Sequence, residues 1–223
     1  MKKNTKAHIS LLRFDLSGNK IDETPHTVLR EDFHLSYPFV FRLNGKFYMV
    51  PESAAANEVI LYESIDFPFK WERKKTLIGN RRCYDSTLFQ HSDGVWYLFC
   101  TSTDGSQYSS NAYLHIFYSS DVLNEEFKAH PQNPIYKDVR RSRPAGKIFF
   151  EDGNLIRPSQ VCAPNYGNAV RLNVIKELSI NSFKEDFMEL VTPDSNSKMK
   201  ALHTYNREDV FHVLDCQKNV LSI

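Results

Sequence analysis

The chain has 223 residues, 41% of them hydrophobic, enough for one large core. Its 28 basic and 27 acidic residues leave a net charge of +1, so the charge gives no reason to expect nucleic acid or an anionic membrane as partner. No apolar run approaches the roughly 20 residues that a membrane span needs, and the basic start at Met1-Lys2-Lys3 leads into no hydrophobic segment, so the expectation is a cytoplasmic chain without a secretory signal.

The first elements are modest. Ala7 to Phe14 alternates like a strand, and Thr27-Val-Leu29 ends a second apolar stretch. A stronger pattern follows. Phe39 to Leu43, Asn44-Gly45 and Lys46 to Val50 form two apolar runs around a turn dipeptide. Ser86 to Phe99 repeats this around Asp93-Gly94, and Lys147 to Ile156 repeats it around Asp152-Gly153. Asn-Gly and Asp-Gly between such runs predict β-hairpins with type I′ turns, which need positive φ at both central residues. A fourth copy, Thr204 to Leu214, carries Glu208-Asp209 at its turn and no glycine.

Each of the first three hairpins is followed by a third strand: Val59 to Tyr62, Tyr113 to Tyr118, and Ala169 to Val174. A more polar fourth stretch then closes the unit: Trp71 to Ile78, Phe127 to Ile135, and Phe187 to Val191. Four strands recurring every ~50 to 60 residues is the pattern of a β-propeller blade. The predicted fold is therefore all-β, a single propeller domain over residues 1–223 built from four-stranded antiparallel blades. Its parts are a half-blade at 7–29, blades at about 33–79, 83–136 and 141–192, and a hairpin with at most one further strand at 201–223. One way to close such a ring is to pair the N-terminal strands with the C-terminal hairpin, which removes two exposed sheet edges.

Propellers bind ligands where the inner strands converge, so the residues at those strand ends are the candidates. Seven residues after each turn glycine stand Glu52, Thr101 and Gln160. At the opposite ends of the hairpins stand His34, Tyr37, Asp85, Arg143 and His203. Glu52 and Asp85 are a candidate carboxylate pair of the kind glycosidic bond cleavage uses. Asp85 also suits a turn or a neighbouring blade. Arg143 and Arg157 occur in similar Arg-Pro contexts and suit a phosphate or carboxylate, although either also suits a buried ion pair with Asp85 or Glu52. Tyr37, Tyr84 and Tyr205 suit either sugar stacking or blade packing. Arg140-Arg-Ser-Arg143 reads as a solvated loop with one inward arginine, and Asp104 to Ser110 as a polar rim loop. Cys83, Cys100, Cys162 and Cys216 form no C-x-x-C pair, the histidines give no zinc spacing, and no phosphate-binding glycine loop is present, so neither a metal nor another cofactor is expected.

Several strings together resemble one family: His34-Leu-Ser-Tyr-Pro38, Val50-Pro-Glu-Ser53, Tyr84-Asp-Ser-Thr-Leu-Phe89, Arg143-Pro-Ala-Gly146, Arg157-Pro-Ser-Gln160 and His203-Thr-Tyr-Asn-Arg207. From about Lys6 onward the chain is similar to the propeller domain at the N-terminus of plant glucosamine inositolphosphorylceramide transferases. That domain also occurs beside formyltransferase-like domains, and it is similar to the five-bladed propellers of glycoside hydrolase family 43. The resemblance implies a carbohydrate or nucleotide-sugar ligand and a formyltransferase-like or glycosyltransferase domain as partner. It also implies that Asp85 matches the aspartate with which family 43 tunes its catalytic acid. One departure stands out. Family members carry an upstream hairpin that opens with Asp-Pro-Phe, and family 43 places its general base in that first blade. This chain lacks the hairpin, so the expectation is either a truncated five-bladed propeller or a closed four-bladed one. In both cases a non-catalytic binding module is favoured over a hydrolase using Asp85 and Glu52.

Overall fold

The computed structural model describes residues 6–103, 110–193, 199–208 and 211–218. The predicted rim loop at 104–109, the turn at 209–210 and the short strand at 219–223 lie outside the described residues. By its contacts the chain divides into two compact units, Met1–Cys83 and Tyr84–Ile223. Among the described residues the only helical turn is a single 3₁₀ turn, and no helix is long and apolar enough to cross a membrane.

In the first unit, β1 (Ile9–Leu11) and β2 (His26–Leu29) pair antiparallel as a two-stranded sheet. A four-stranded sheet follows in simple meander order: β3 (Ser36–Leu43), β4 (Lys46–Glu52), β5 (Val59–Asp66) and β6 (Lys70–Ile78). Leu43 faces Lys46 across a two-residue turn with Asn44 at φ 50° and Gly45 at φ 80°, the predicted type I′ geometry. Leu35, Met49, Ile60 and Trp71 pack with Ile9 and Leu29 into one core. All six are buried, and burying these side chains drives the unit's formation at roughly 25 cal/mol per Å² of apolar surface.

The second unit begins with the rest of β7 (Arg82–Gln90), then β8 (Trp96–Thr103) and β9 (Tyr113–Ser119). The expected fourth strand is broken. β10 (Lys128–Ala129) and β11 (Tyr136–Lys137) lie along the same edge of β9, pairing with its two ends. Pro131 and Pro134 interrupt the segment between them, because proline supplies no ladder N–H. The Asn133 side chain fills the gap. Its Oδ1 accepts from the Ile116 N–H at 2.8 Å and its Nδ2 donates to the Ile116 carbonyl at 2.7 Å. The turn before β8 also departs from the prediction. Only Gly94 has positive φ, and the Gly94 N–H donates to the His91 carbonyl. The result is a three-residue loop with a bulge instead of type I′.

The next sheet is β12 (Phe149–Glu151), β13 (Asn154–Val161), β14 (Ala169–Leu178) and β15 (Phe183–Val191), with a type I′ turn at Asp152-Gly153. β16 (Met199–Glu208) and β17 (Phe211–Lys218) form a two-stranded sheet with no third strand among the described residues. Tyr97, Phe99, Leu114 and Ile116 pack with Ile148, Leu155, Ile175 and Phe183, which joins the two larger sheets of this unit. Leu202 packs with Ala145, Ile156 and Val170 and anchors β16.

His130 pins the break in the outer strand and makes the unit sensitive to acid. It is 2% exposed; its Nε2–H donates to the Ser179 carbonyl at 3.1 Å, while its Nδ1 accepts from the Gln132 N–H at 3.2 Å. Burial pushes its pKa below the usual histidine value. Protonation puts a second donor against the Gln132 N–H. The unfolded chain therefore binds the proton more readily than the folded one, and stability rises with pH across this range. The stabilising contribution is complete above about pH 6.5 and declines as the pH falls below it. Urea unfolding between pH 7 and 5 is expected to show this slope, and His130→Gln is expected to flatten it. An unchanged slope would remove His130 as its source.

Candidate functional site

The three residues at the repeat position after the turn glycines all lie buried at or near the ends of their strands: Glu52 is 9% exposed on β4, Thr101 0% on β8 and Gln160 1% on β13. In the first unit, Glu52 pairs in register with Ser36 at the start of β3. The adjoining Tyr37 sits in a β-bulge with φ 45°, and His34 is exposed just before the strand. Glu52 and Tyr37 thus mark one end of this sheet.

The second unit holds a buried polar node. Asp85, at the start of β7, has φ 50° and is 4% exposed. A left-handed backbone is uncommon outside glycine, and aspartate and asparagine tolerate it best among the other residues. It turns the carboxylate out of the strand's regular alternation. Arg143 meets it there, donating from Nε to Oδ2 at 2.6 Å and from Nη2 to Oδ1 at 3.2 Å. The Gln160 amide donates to the same Oδ2 at 2.7 Å and to the Pro144 carbonyl at 3.1 Å. Arg143 Nη1 donates to Asn111 Oδ1 at 2.7 Å. The Arg143 guanidinium lies 5.5 Å from the Tyr166 ring centre and 5.6 Å from that of Tyr84. Arg143 is therefore the arginine that takes the ion pair with Asp85, the alternative raised from the sequence.

The ring of Tyr166 continues the node towards β16. It packs against the His203 ring with centres 4.8 Å apart and planes tilted by 32°. His203 Nδ1 lies 3.2 Å from Asp215 Oδ2, and Asp215 Oδ1 also accepts from the backbone N–H of His203 and of Thr204. That carboxylate fills a bulge where His203 and Thr204 on β16 face Asp215 alone on β17. Gly167, at φ 71°, makes this approach possible, since a Cβ there would stand 2.5 Å from His203 Nε2. Burial pushes the nearby Cys162 thiol above its usual pKa, so it is no ready nucleophile at neutral pH.

Arg157 departs from the expected convergence with Arg143. Successive side chains on a strand point to opposite faces, so Arg157 and Gln160, three residues apart on β13, diverge. Arg157 is 1% exposed and donates from Nε and Nη2 to the two oxygens of Glu185 at 2.7 and 2.6 Å. Tyr205 packs on Phe149, and its hydroxyl bonds His212 Nδ1 at 2.9 Å, a packing role. Sequence reasoning missed Asn111, Tyr166, Glu185 and Asp215. Each is a partner brought in by tertiary pairing, and none has a local motif of its own.

The model of the family described as glucosamine inositolphosphorylceramide transferase 1, N-terminal, matches residues 21–221. The chain belongs to this family. Glucosamine inositolphosphorylceramide transferase 1 of Arabidopsis thaliana is 36% identical over 181 residues, covering 80% of this chain and 23% of the plant protein. The Oryza sativa subsp. japonica protein of the same name is 39% identical over 192 residues, covering 85% of this chain and 25% of its own length. The chain thus spans about a quarter of the length of these transferase relatives. Among solved structures, an α-L-arabinofuranosidase of Clostridium thermocellum superposes with a TM-score of 0.59 at 14% identity, over 90% of this chain and 67% of that one. An exo-β-1,3-galactanase of the same organism gives 0.59 at 15% identity, over 89% and 45%. The galactanase of Phanerochaete chrysosporium with galactose bound gives 0.56 at 13% identity, over 96% and 48%. At such identities the likeness shows the fold alone: an all-β propeller of four-stranded antiparallel blades, as expected for this N-terminal family.

Proposed function

We propose that this family member is a carbohydrate-recognition module that holds a sugar or nucleotide-sugar for glycan transfer by a glycosyltransferase or formyltransferase-like domain. The observation that carries this reading is the Asp85–Arg143–Gln160 node. Three separated segments converge on one buried carboxylate, whose backbone is held in a strained conformation. Such strain persists only where the surroundings over-determine it, and it clusters at ligand sites. The node offers the Arg143 guanidinium, oriented by Asp85, as a charged donor for sugar hydroxyls. Tyr84 and Tyr166 flank it, and Tyr166 is half exposed. The transferase relatives support the ligand class. A hydrolase using Asp85 and Glu52 ranks second, because cleavage needs a carboxyl oxygen that reaches the substrate. Both oxygens of Asp85 already accept from Arg143, and Gln160 adds a bond to one of them.

Calorimetry and a glycan array test the reading. Wild type is expected to bind at least one sugar or nucleotide-sugar. Asp85→Asn, which suits the same backbone, is expected to weaken binding about 10- to 100-fold, the cost of one or two charged hydrogen bonds. Arg143→Lys is expected to do the same by losing the bidentate fork. Unchanged affinity in both variants would sink the proposal. Turnover on a furanoside and pyranoside panel that vanishes in Asp85→Asn and Glu52→Gln would establish the hydrolase instead.

A further inference from the structure

The face of the β12–β15 sheet that carries Arg157 is polar where a core-facing surface is normally apolar. Arg157, Ser159 and Asn173 are 0–1% exposed there. Asn173 donates to the Arg157 carbonyl at 3.0 Å and to Ser159 Oγ at 2.9 Å, and Arg171 Nε donates to Asn173 Oδ1 at 2.6 Å. Arg157 Nη2 also reaches the carbonyl of Arg141 at 2.8 Å. The basic loop that the sequence assigns to solvent therefore lies against this layer.

Donors and charge are both left over. Arg157 Nη1 and Arg141 Nε are buried with no hydrogen-bond acceptor. Glu185 is taken by Arg157, and Asp138 is shared between Arg140 at 3.1 Å and Arg141 at 3.8 Å. Arg171 has no carboxylate within ion-pair distance among the described residues. Four guanidiniums thus meet two carboxylates. Aromatic rings hold two of them in place: Arg141 lies 3.8 Å from the centre of Tyr136, and Arg171 4.6 Å from that of Phe187. Burial depresses the Arg171 pKa; Glu185 and Asp138 oppose the shift, and the charges of Arg141 and Arg157 add to it. Arg157 is buried, Arg141 and Arg171 are partly exposed and Arg140 is exposed, and a layer with more guanidiniums than carboxylates and unmet N–H donors is complementary to an anion. Water would meet the donors but not the charge. The side chain of Arg141 is about one-third exposed, which leaves a way in from solvent.

We propose that a small oxyanion of the phosphate class binds between Arg141, Arg157 Nη1 and Arg171, at a site separate from the Asp85 node. The anion is either free phosphate or the phosphate end of a nucleotide.

Thermal shift and calorimetry with inorganic phosphate, against chloride at matched ionic strength, provide the test. Wild type is expected to show saturable stabilisation by phosphate. Arg141→Gln and Arg171→Gln, both on partly exposed side chains, are each expected to weaken phosphate about tenfold or more. Arg73→Gln, on the surface of the first unit, is expected to change nothing. Stabilisation by chloride equal to that by phosphate would overturn the proposal, as would wild-type phosphate affinity in both variants. A nucleoside diphosphate that competes with phosphate and still binds Asp85→Asn identifies a nucleotide as the source. Phosphate binding without such competition identifies the free anion. Because Asp85→Asn leaves this layer intact, failure of the sugar-binding reading and failure of this one give different results.

Discussion

Glu185→Ala is expected to destabilise the second unit by about 3–5 kcal/mol, the usual result of stranding one charge of a buried pair. Arg157 and Glu185 have side chains 1% exposed each, and the pair is bidentate. Removing the glutamate leaves a buried guanidinium without its counter-charge and unable to give up its proton. The two directions of substitution differ in sign. Arg157→Met with Glu185→Leu removes both charges and replaces them with side chains of similar bulk, so the double variant is expected to recover to within about 2 kcal/mol of wild type. Urea unfolding read by tryptophan fluorescence separates the units, because Trp71 lies in the first and Trp96 in the second. A single variant as stable as the double would show that the pair is solvated.

Gly146→Ala is expected to be the most damaging glycine-to-alanine change among the described residues. Gly146 has φ 138°, and a Cβ there would overlap the Tyr205 carbonyl oxygen and stand 2.9 Å from Asn206 Oδ1. Neither atom is free to move away. The Tyr205 N–H donates to the Ala145 carbonyl at 2.7 Å, and Asn206 Oδ1 accepts from the Lys147 N–H at 2.9 Å. Backbone strain and overpacking add, giving a loss of roughly 3 kcal/mol or more. Gly45→Ala is the matched control. Its φ is also positive, but a Cβ there meets nothing within 4 Å, so about 1 kcal/mol is expected. Melting temperatures compare the two directly. Equal losses would mean that β16 does not press on residues 145–147.

The strands were legible in the sequence because burial on a pleated sheet leaves a period of two, and because Asn44-Gly45 and Asp152-Gly153 advertise their turns. The broken fourth strand after β9 was not, since its replacement is a side chain, Asn133, bonding a distant backbone. Gln160 was found by counting from its turn glycine, and Asp85 and Arg143 by standing at the opposite ends of their hairpins, local measures that work while each strand keeps its length. A shared Arg-Pro context suggested that Arg157 joins Arg143, and strand alternation placed it on the other face. Glu185 and Asp215 escaped because an ion pair leaves no trace in either partner's neighbourhood. Arg140 and Arg141 were assigned to solvent because basic loops usually are, and only packing shows the layer they meet.

Tyr37 and Asp85 enter their sheets through the same left-handed backbone, one in each unit. This sets what either position tolerates before chemistry is considered. At position 85, asparagine and glycine fit the backbone, and valine, isoleucine and threonine clash with it. Glutamate keeps the charge but pays both the backbone cost and a longer reach. A complete substitution series at position 85, sorted first for folding and then for binding, would therefore separate two selections that a single variant mixes. The narrow set that folds makes the carboxylate hard to exchange for any other acid, so a change of ligand in this family has an easier path through Gln160 or Arg143 than through Asp85.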